Sequence, residues 1–408
     1  MKKRFLSAGL AVVMAASLTA CGGSGSASTT TAAAGEAKVE GESKAAESSA
    51  AADGASFKIG GIGPVTGGAA VYGLAVQHGA EIAVKEINEA GGINGYPVEF
   101  QFQDDEHDAE KSVNAYNTLK DWGMQALMGT VTSAPCIAVA DKTAADNMFQ
   151  ITPSGSAVEC AANPNVYRVC YSDPAQGTAS AKYIGEHKLA SKVAVIYDSS
   201  DVYSSGIYEK FAQEAPNQGI EVVDAEAFTA DSNKDFSTQL QKAKESGAEL
   251  VFLPIYYTEA SLILQQANTM GFAPQFFGCD GMDGILQVQN FDVKLAEGLM
   301  LLTPFAADAT DDLTVKFVKS FEDAYGETPI QFAADAYDAM YIIKAAMEEA
   351  NVTPDMAAGD ICDAMEGAMT KIKVDGLTGT NMTWTEDGEP EKDPKAVQVV
   401  DGAYKAME

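Results

Sequence analysis

Phe57-Lys58-Ile59-Gly60-Gly61-Ile62-Gly63-Pro64-Val65-Thr66-Gly67 is the stretch on which the fold turns. Residues 57–62 form a short, largely apolar run, which predicts a strand. Glycine, proline and threonine then bend the chain. Beyond the bend, Val76, Ala80, Ala83, Val84 and Ile87 share one face at helical spacing. Strand, glycine-rich turn and helix thus follow one another within a few tens of residues, the unit from which open α/β sheets are built.

The same rhythm runs outward along the chain. Further strands are predicted at residues 98–103, 126–128, 149–152, 193–197, 221–225, 250–255, 275–277 and 299–302. Most are apolar throughout, as parallel strands covered on both faces must be. Helical periods lie between them; Phe236, Leu240 and Ala243 repeat after Asp235. Late helices are expected at 331–349 and 355–369 with no strand between, then a β-like segment at 381–384 and a turn-rich stretch at 386–394. The fold class is therefore doubly wound α/β. In such sheets ligands sit beyond the carboxyl ends of the strands, so function belongs in the strand-to-helix loops.

The N-terminus reads as an export signal. Lys2, Lys3 and Arg4 precede an apolar run over residues 5–18 that is too short to span a membrane as a helix. Leu18-Thr19-Ala20-Cys21 resembles a lipobox, which makes Cys21 the expected lipidation site and residues 1–20 a removed signal peptide. Residues 21–55 are almost wholly Gly, Ser, Thr, Ala, Glu and Lys, too poor in apolar surface to form a core, and read as a disordered tether. The expected location is the extracytoplasmic face of the cell membrane.

Residues 56–408 suffice for two core-forming domains. A formal charge of −31 repels nucleic acid and anionic lipid, so neither is an expected partner. Besides Cys21 there are Cys136, Cys160, Cys170, Cys279 and Cys362, none at C-x-x-C spacing; either a Cys160–Cys170 bridge or buried free thiols fits that pattern.

Catalytic motifs are missing. Thr66 stands where G-x-G-x-x-G needs its third glycine, and neither a P-loop nor a G-x-S-x-G elbow occurs. His78 and His187 read as surface residues, and Asp104-Asp105-Glu106-His107-Asp108 as a solvated loop without the alternating oxygens that calcium needs. No enzyme activity, cofactor or metal is expected. What remains are hydroxyl-rich loops: Gly129-Thr130-Val131-Thr132-Ser133-Ala134-Pro135 and Ile151-Thr152-Pro153-Ser154-Gly155-Ser156. Hydroxyls and free backbone N–H groups at a helix start suit a carboxylate, though each loop alone also fits ordinary helix capping.

Taken in order, several motifs resemble the branched-chain amino-acid-binding family of type I periplasmic binding proteins. They are Gly63-Pro64-Val65-Thr66-Gly67 with Tyr72-Gly73, Ile87-Asn88 with Gly91-Gly92-Ile93-Asn94-Gly95, Gln103-Asp104-Asp105, Ile151-Thr152-Pro153, Asp173-Pro174-Ala175-Gln176-Gly177, Lys234-Asp235-Phe236-Ser237 and Gly278-Cys279-Asp280-Gly281. The resemblance implies two doubly wound α/β lobes joined by three crossovers, residues 56–174 with 303–388 and residues 175–302 with 389–408. It implies that Ser133, Ser154 and Ser156, with Val131 and Thr132 beside them, hold an α-carboxylate and part of the ammonium. Tyr72, Tyr203, Tyr256 and Phe332 would line the cleft, and Asp280 would pair with the α-ammonium where leucine-type relatives use a longer glutamate. Read residue by residue, Tyr72 and Phe332 also fit a plain core and Asp280 a surface turn. Some relatives carry a disulfide near the first cleft loop, whose positions His107 and Thr132 occupy here.

The function so implied is an ABC importer's solute-binding lipoprotein, monomeric, taking a branched-chain, aliphatic or aromatic amino acid and delivering it to a membrane permease. A binder of short amides, urea or aromatic carboxylates, or a sensor domain for a signalling partner, are the alternatives on the same fold.

Overall fold

The computed structural model describes residues 54–392 and 394–407; the expected signal peptide and Cys21, and all but the end of the expected tether, lie outside the described residues. The opening stretch forms β1 (Phe57–Gly63) followed by helix α1 (Ala70–Glu89). Then come β2 (Val98–Asp104), α2 (Ala109–Trp122), β3 (Ala126–Gly129), α3 (Ser133–Asp146), β4 (Gln150–Thr152) and β5 (Val166–Arg168). These strands make one parallel sheet in the order β2-β1-β3-β4-β5. Asp108 starts α2 by accepting from the Glu110 and Lys111 amides, and Gly123 ends it at φ 90°.

The chain then crosses to a second sheet. It forms α4 (Asp173–Glu186), β6 (Lys192–Asp198), α5 (Val202–Glu214), β7 (Glu221–Phe228), α6 (Ser237–Glu245), β8 (Leu250–Leu253), α7 (Tyr257–Thr269), β9 (Gln275–Gly278) and β10 (Met300–Thr303). After β10 it returns to pack α8 (Asp312–Tyr325) and α9 (Gln331–Glu349) on α1, with α10 (Ala358–Met369) against α9. A short ribbon of β11 (Thr383–Trp384) and β12 (Pro390–Glu391) leads to the third crossing. Finally β13 (Lys395–Val400) and β14 (Ala403–Ala406) add antiparallel strands to the second sheet, ordered β14-β13-β10-β9-β8-β6-β7. The architecture is two α/β layers joined by three crossovers.

Close helix packing fixes the cleft. α1 and α9 meet at Gly79, where a Cβ would stand 2.1 Å from the Ala333 carbonyl oxygen. No side chain fits there, so Phe332 is carried up against α1 and stacks on Tyr72 at 4.3 Å between ring centroids.

Three expectations need correction. The acidic loop after β2 is not simply solvated. Asp105 is fully buried and accepts from the His107 amide at 2.9 Å, and burial pushes its carboxyl up to about 7. His78 is half-buried, its ring stacked 3.7 Å from Tyr325. Helix α8, strand β5 and the β13–β14 hairpin were not foreseen; residues 312–325 do carry a helical stripe, with Phe317 and Phe321 buried. All five described cysteines are buried and unbridged, so Cys160 and Cys170 do not pair.

Candidate functional site

The ends of β3 and β4 build one wall. Thr132, extended, precedes α3 as its N-cap, and Ser133 is the first helical residue. The Ser133 hydroxyl accepts from the backbone amides of Ser156 at 3.2 Å and Ala157 at 3.1 Å. Ser154 donates its hydroxyl to the Val131 carbonyl at 2.6 Å. These bonds tie the two loops into one surface of amides and hydroxyls at a helix start, a neutral cradle for an anion. The Ser156 hydroxyl is buried against the Asp173 carboxylate, which it steadies while burial pushes that carboxyl well above its ordinary value.

The opposite wall follows β9. Asp280 begins a single 3-10 turn and is 6% exposed, so it is no surface turn residue. Its Oδ1 accepts from the Tyr203 hydroxyl and the Gly281 amide, both at 2.7 Å. Its Oδ2 accepts from the Gln176 side-chain amide at 2.8 Å, while the Gln176 carbonyl oxygen accepts from the Asp280 amide at 3.3 Å. Burial nevertheless pushes this carboxyl up to about 6, against the lowering effect of those bonds. The group is held in place but short of positive charge.

Aromatic rings close the remaining sides. Tyr203 and Tyr256 stack with centroids 4.9 Å apart and planes 6° from parallel. Tyr72, from the first sheet's α1, accepts from the Tyr257 amide at 3.2 Å and donates to the Gly281 carbonyl, both on the second-sheet side. The Tyr257 hydroxyl donates to the Gly68 carbonyl at 2.8 Å in the same seam. On the rim of the same wall, His107 Nδ1 and Thr132 Oγ1 lie 2.8 Å apart and share a hydrogen bond.

Tyr72, Val131, Thr132, Ser133, Ser154, Ser156, Tyr203, Tyr256, Asp280 and Phe332 thus converge on one cavity, joined by Gly281. Its volume is only about 10 Å³, because the seam bonds hold the walls together. A cavity of that volume admits no molecule of amino-acid size unless the walls part. Gln176 escaped the sequence reading as a site residue, although Asp173-Pro174-Ala175-Gln176-Gly177 was among the motifs noted; its signal was a position one helical turn into α4. Among the described residues no cluster of His, Cys, Asp or Glu could hold a metal, and no helix is long and apolar enough to cross a membrane.

Comparison with known proteins places these features in context. A sequence model of the periplasmic binding protein family matches residues 56–403. A Leu/Ile/Val-binding protein homolog of Brucella melitensis is 32% identical over 306 residues, 74% of this chain and 82% of that protein. The leucine-, isoleucine-, valine-, threonine-, and alanine-binding protein of Pseudomonas aeruginosa is 30% identical over 297 residues, 72% of this chain and 79% of its own. Among solved structures, the branched-chain amino acid transporter substrate binding protein of Streptococcus pneumoniae, in complex with isoleucine, superposes with a TM-score of 0.77 at 26% identity, covering 86% of this chain and 99% of that one. A leucine binding protein from Thermotoga maritima gives the same TM-score and identity, covering 86% and 98%.

Proposed function

The chain belongs to the periplasmic binding protein family, and from that premise we propose that it is the solute-binding protein of an ABC importer, capturing a branched-chain amino acid between two closing lobes. The observation that carries this reading is the facing of two complementary walls across one cavity. Amides and hydroxyls of the Ser133–Ser156 cradle meet the ligand carboxylate, and the buried Asp280 carboxylate meets its ammonium. The rings of Tyr72, Tyr256 and Phe332 receive the aliphatic side chain. Residues 56–174 with 303–388 act as one lobe and residues 175–302 with 389–408 as the other.

Ligand touches both lobes only in the closed form, so binding supplies the differential affinity that favours closure. The closed form then docks on a membrane permease driven by a separate ATPase, and the chain turns over no ligand. Cys21 carries the lipid that holds the protein, as a monomer, at the outer face of the membrane; a Cys21→Ser chain should fold and bind but leave the membrane fraction.

The ligand class is tested by thermal shift with isoleucine, leucine, valine, phenylalanine, isobutyramide and benzoate. A branched-chain amino acid at about a hundred times its dissociation constant should add about 2.7 kcal/mol of stability. Stabilisation by the amide or by benzoate, with none by the amino acids, would overturn the assignment.

A further inference from the structure

Ser156 lines the cleft cavity, and the carboxyl that backs it belongs to Asp173, the first residue of α4. The Asp173 amide donates to the Ser156 carbonyl at 2.8 Å, and the two side chains share a hydrogen bond. Asp173 is 2% exposed and does not itself line the cavity. Helix α5 covers it closely: a Cβ at Gly206 would stand 3.1 Å from its Oδ2.

A carboxylate in such a place needs a bonded cation or several donors. Arg168 favours its charged form, but that guanidinium is directed elsewhere. Nη1 donates to the Ser156 carbonyl at 2.6 Å, Nη2 to the Ala157 carbonyl at 3.0 Å, and Nε faces Glu389 at 3.3 Å. Asp280 and Asp201 bear on Asp173 as like charges, and the Tyr256 phenol and the Cys160 and Cys279 thiols are close enough to feel it. Burial, ahead of every other influence, pushes the Asp173 carboxyl well above the ordinary carboxylate range.

The direction of the shared bond decides what Ser156 can offer, because a serine hydroxyl has one hydrogen. Given to an ionised Asp173, that hydrogen would leave only lone pairs to face a ligand carboxylate. A protonated Asp173 donates instead, and the hydroxyl keeps its hydrogen for the ligand. We propose that Asp173 is a positioning residue that stays protonated, donates to Ser156 Oγ and so turns the Ser156 hydrogen toward the ligand carboxylate. The role toward ligand rests on the amino-acid reading above; the state of Asp173 in the free protein does not.

Infrared difference spectra of the full chain at about pH 8, where Asp280 is ionised, test that state. Wild type minus Asp173→Asn should show the carbonyl stretch of one protonated carboxyl, and Ser156→Ala should shift that band without removing it. In calorimetry, Asp173→Leu should weaken isoleucine by about fivefold, the worth of one net hydrogen bond. Asp173→Asn, which keeps a donor, should recover most of that loss, and Asp173→Leu should cost nothing further in a Ser156→Ala background. A difference spectrum showing only carboxylate bands, or Asp173→Asn weakening isoleucine as much as Asp173→Leu, would overturn the proposal. The spectrum is read on free protein, so a failure of isoleucine to bind wild type would strike the ligand reading while the infrared band still decides the state of Asp173.

Discussion

On the first-sheet side of the cleft, Ser133, Ser154 and Ser156 form a neutral polar surface fixed by bonds between two loops. On the second-sheet side, one carboxylate does the equivalent work, held by Tyr203, Gln176 and the Gly281 amide. The two walls face the same cavity but are unlike in physics. The neutral wall is inexpensive to bury, because its groups satisfy one another. The charged wall is costly: burial raises the Asp280 pKa to about 6 despite three good donors. A ligand ammonium relieves that cost, so the cationic end of the ligand should carry more of the affinity than the anionic end.

The sharpest way to break this asymmetry is Asp280→Asn, which keeps the turn and its size but removes the charge. Leaving a buried ammonium without its partner costs about 3–5 kcal/mol, so isoleucine affinity should fall by roughly two to four orders of magnitude. Calorimetry reads the loss directly, and a drop under about tenfold would mean that the ammonium lies elsewhere. On the neutral wall, Ser156→Ala deletes one hydroxyl bond to a charged group, worth about 1.5–3 kcal/mol, or roughly one to two orders of magnitude. If the serine change cost more than the aspartate change, the assignment of ends would be reversed.

Acidity probes the same contrast without mutation. Binding needs Asp280 ionised, and in the free protein it gains a proton as pH falls through about 6. Isoleucine affinity should be full above that value and decline by about tenfold per unit below it, with proton release on binding near pH 5.5. Asp280→Asn should flatten that profile. Stability of the free protein moves the other way. A carboxyl whose folded pKa is raised binds its proton more tightly when folded, so stability grows as pH falls from about 6 toward 4. Asp105, Asp201 and Asp283, also raised by burial, share in that gain, so the affinity profile is the specific readout of Asp280.

The smallest effect belongs to Gln176, which touches Asp280 from two sides but does not line the cleft cavity. Gln176→Ala should weaken isoleucine by about five- to tenfold, the worth of one net hydrogen bond, and move the acid limb of the pH profile upward. Loss of affinity with an unmoved profile would show that Gln176 merely packs.

Much of this was legible before any coordinates. Strand and helix periods placed most of the first nine strands, and the family resemblance, not any local pattern, implied each of the ten residues that share the cavity. What escaped had physical reasons. β5 is three residues long, too short for a period to show. Asp105 lies in a run of acids that reads as solvated, and only the fold of the chain around it takes it out of water. Gln176 acts through Asp280, 104 residues away, and a single glutamine carries no local sign of such a contact. The near-closure of the cleft depends on the Tyr72 and Tyr257 hydroxyls crossing between the two sides, which composition cannot foretell.

The account rests on the ligand lying across the two walls with its charges the right way round, and a crystal structure of the chain with isoleucine shows this most directly. The isoleucine nitrogen should lie within hydrogen-bond distance of an Asp280 carboxylate oxygen, its carboxylate on the Ser133–Ser156 cradle, and its side chain among Tyr72, Tyr256 and Phe332. Isoleucine seated with its carboxylate toward Asp280, or outside the cleft altogether, would contradict it.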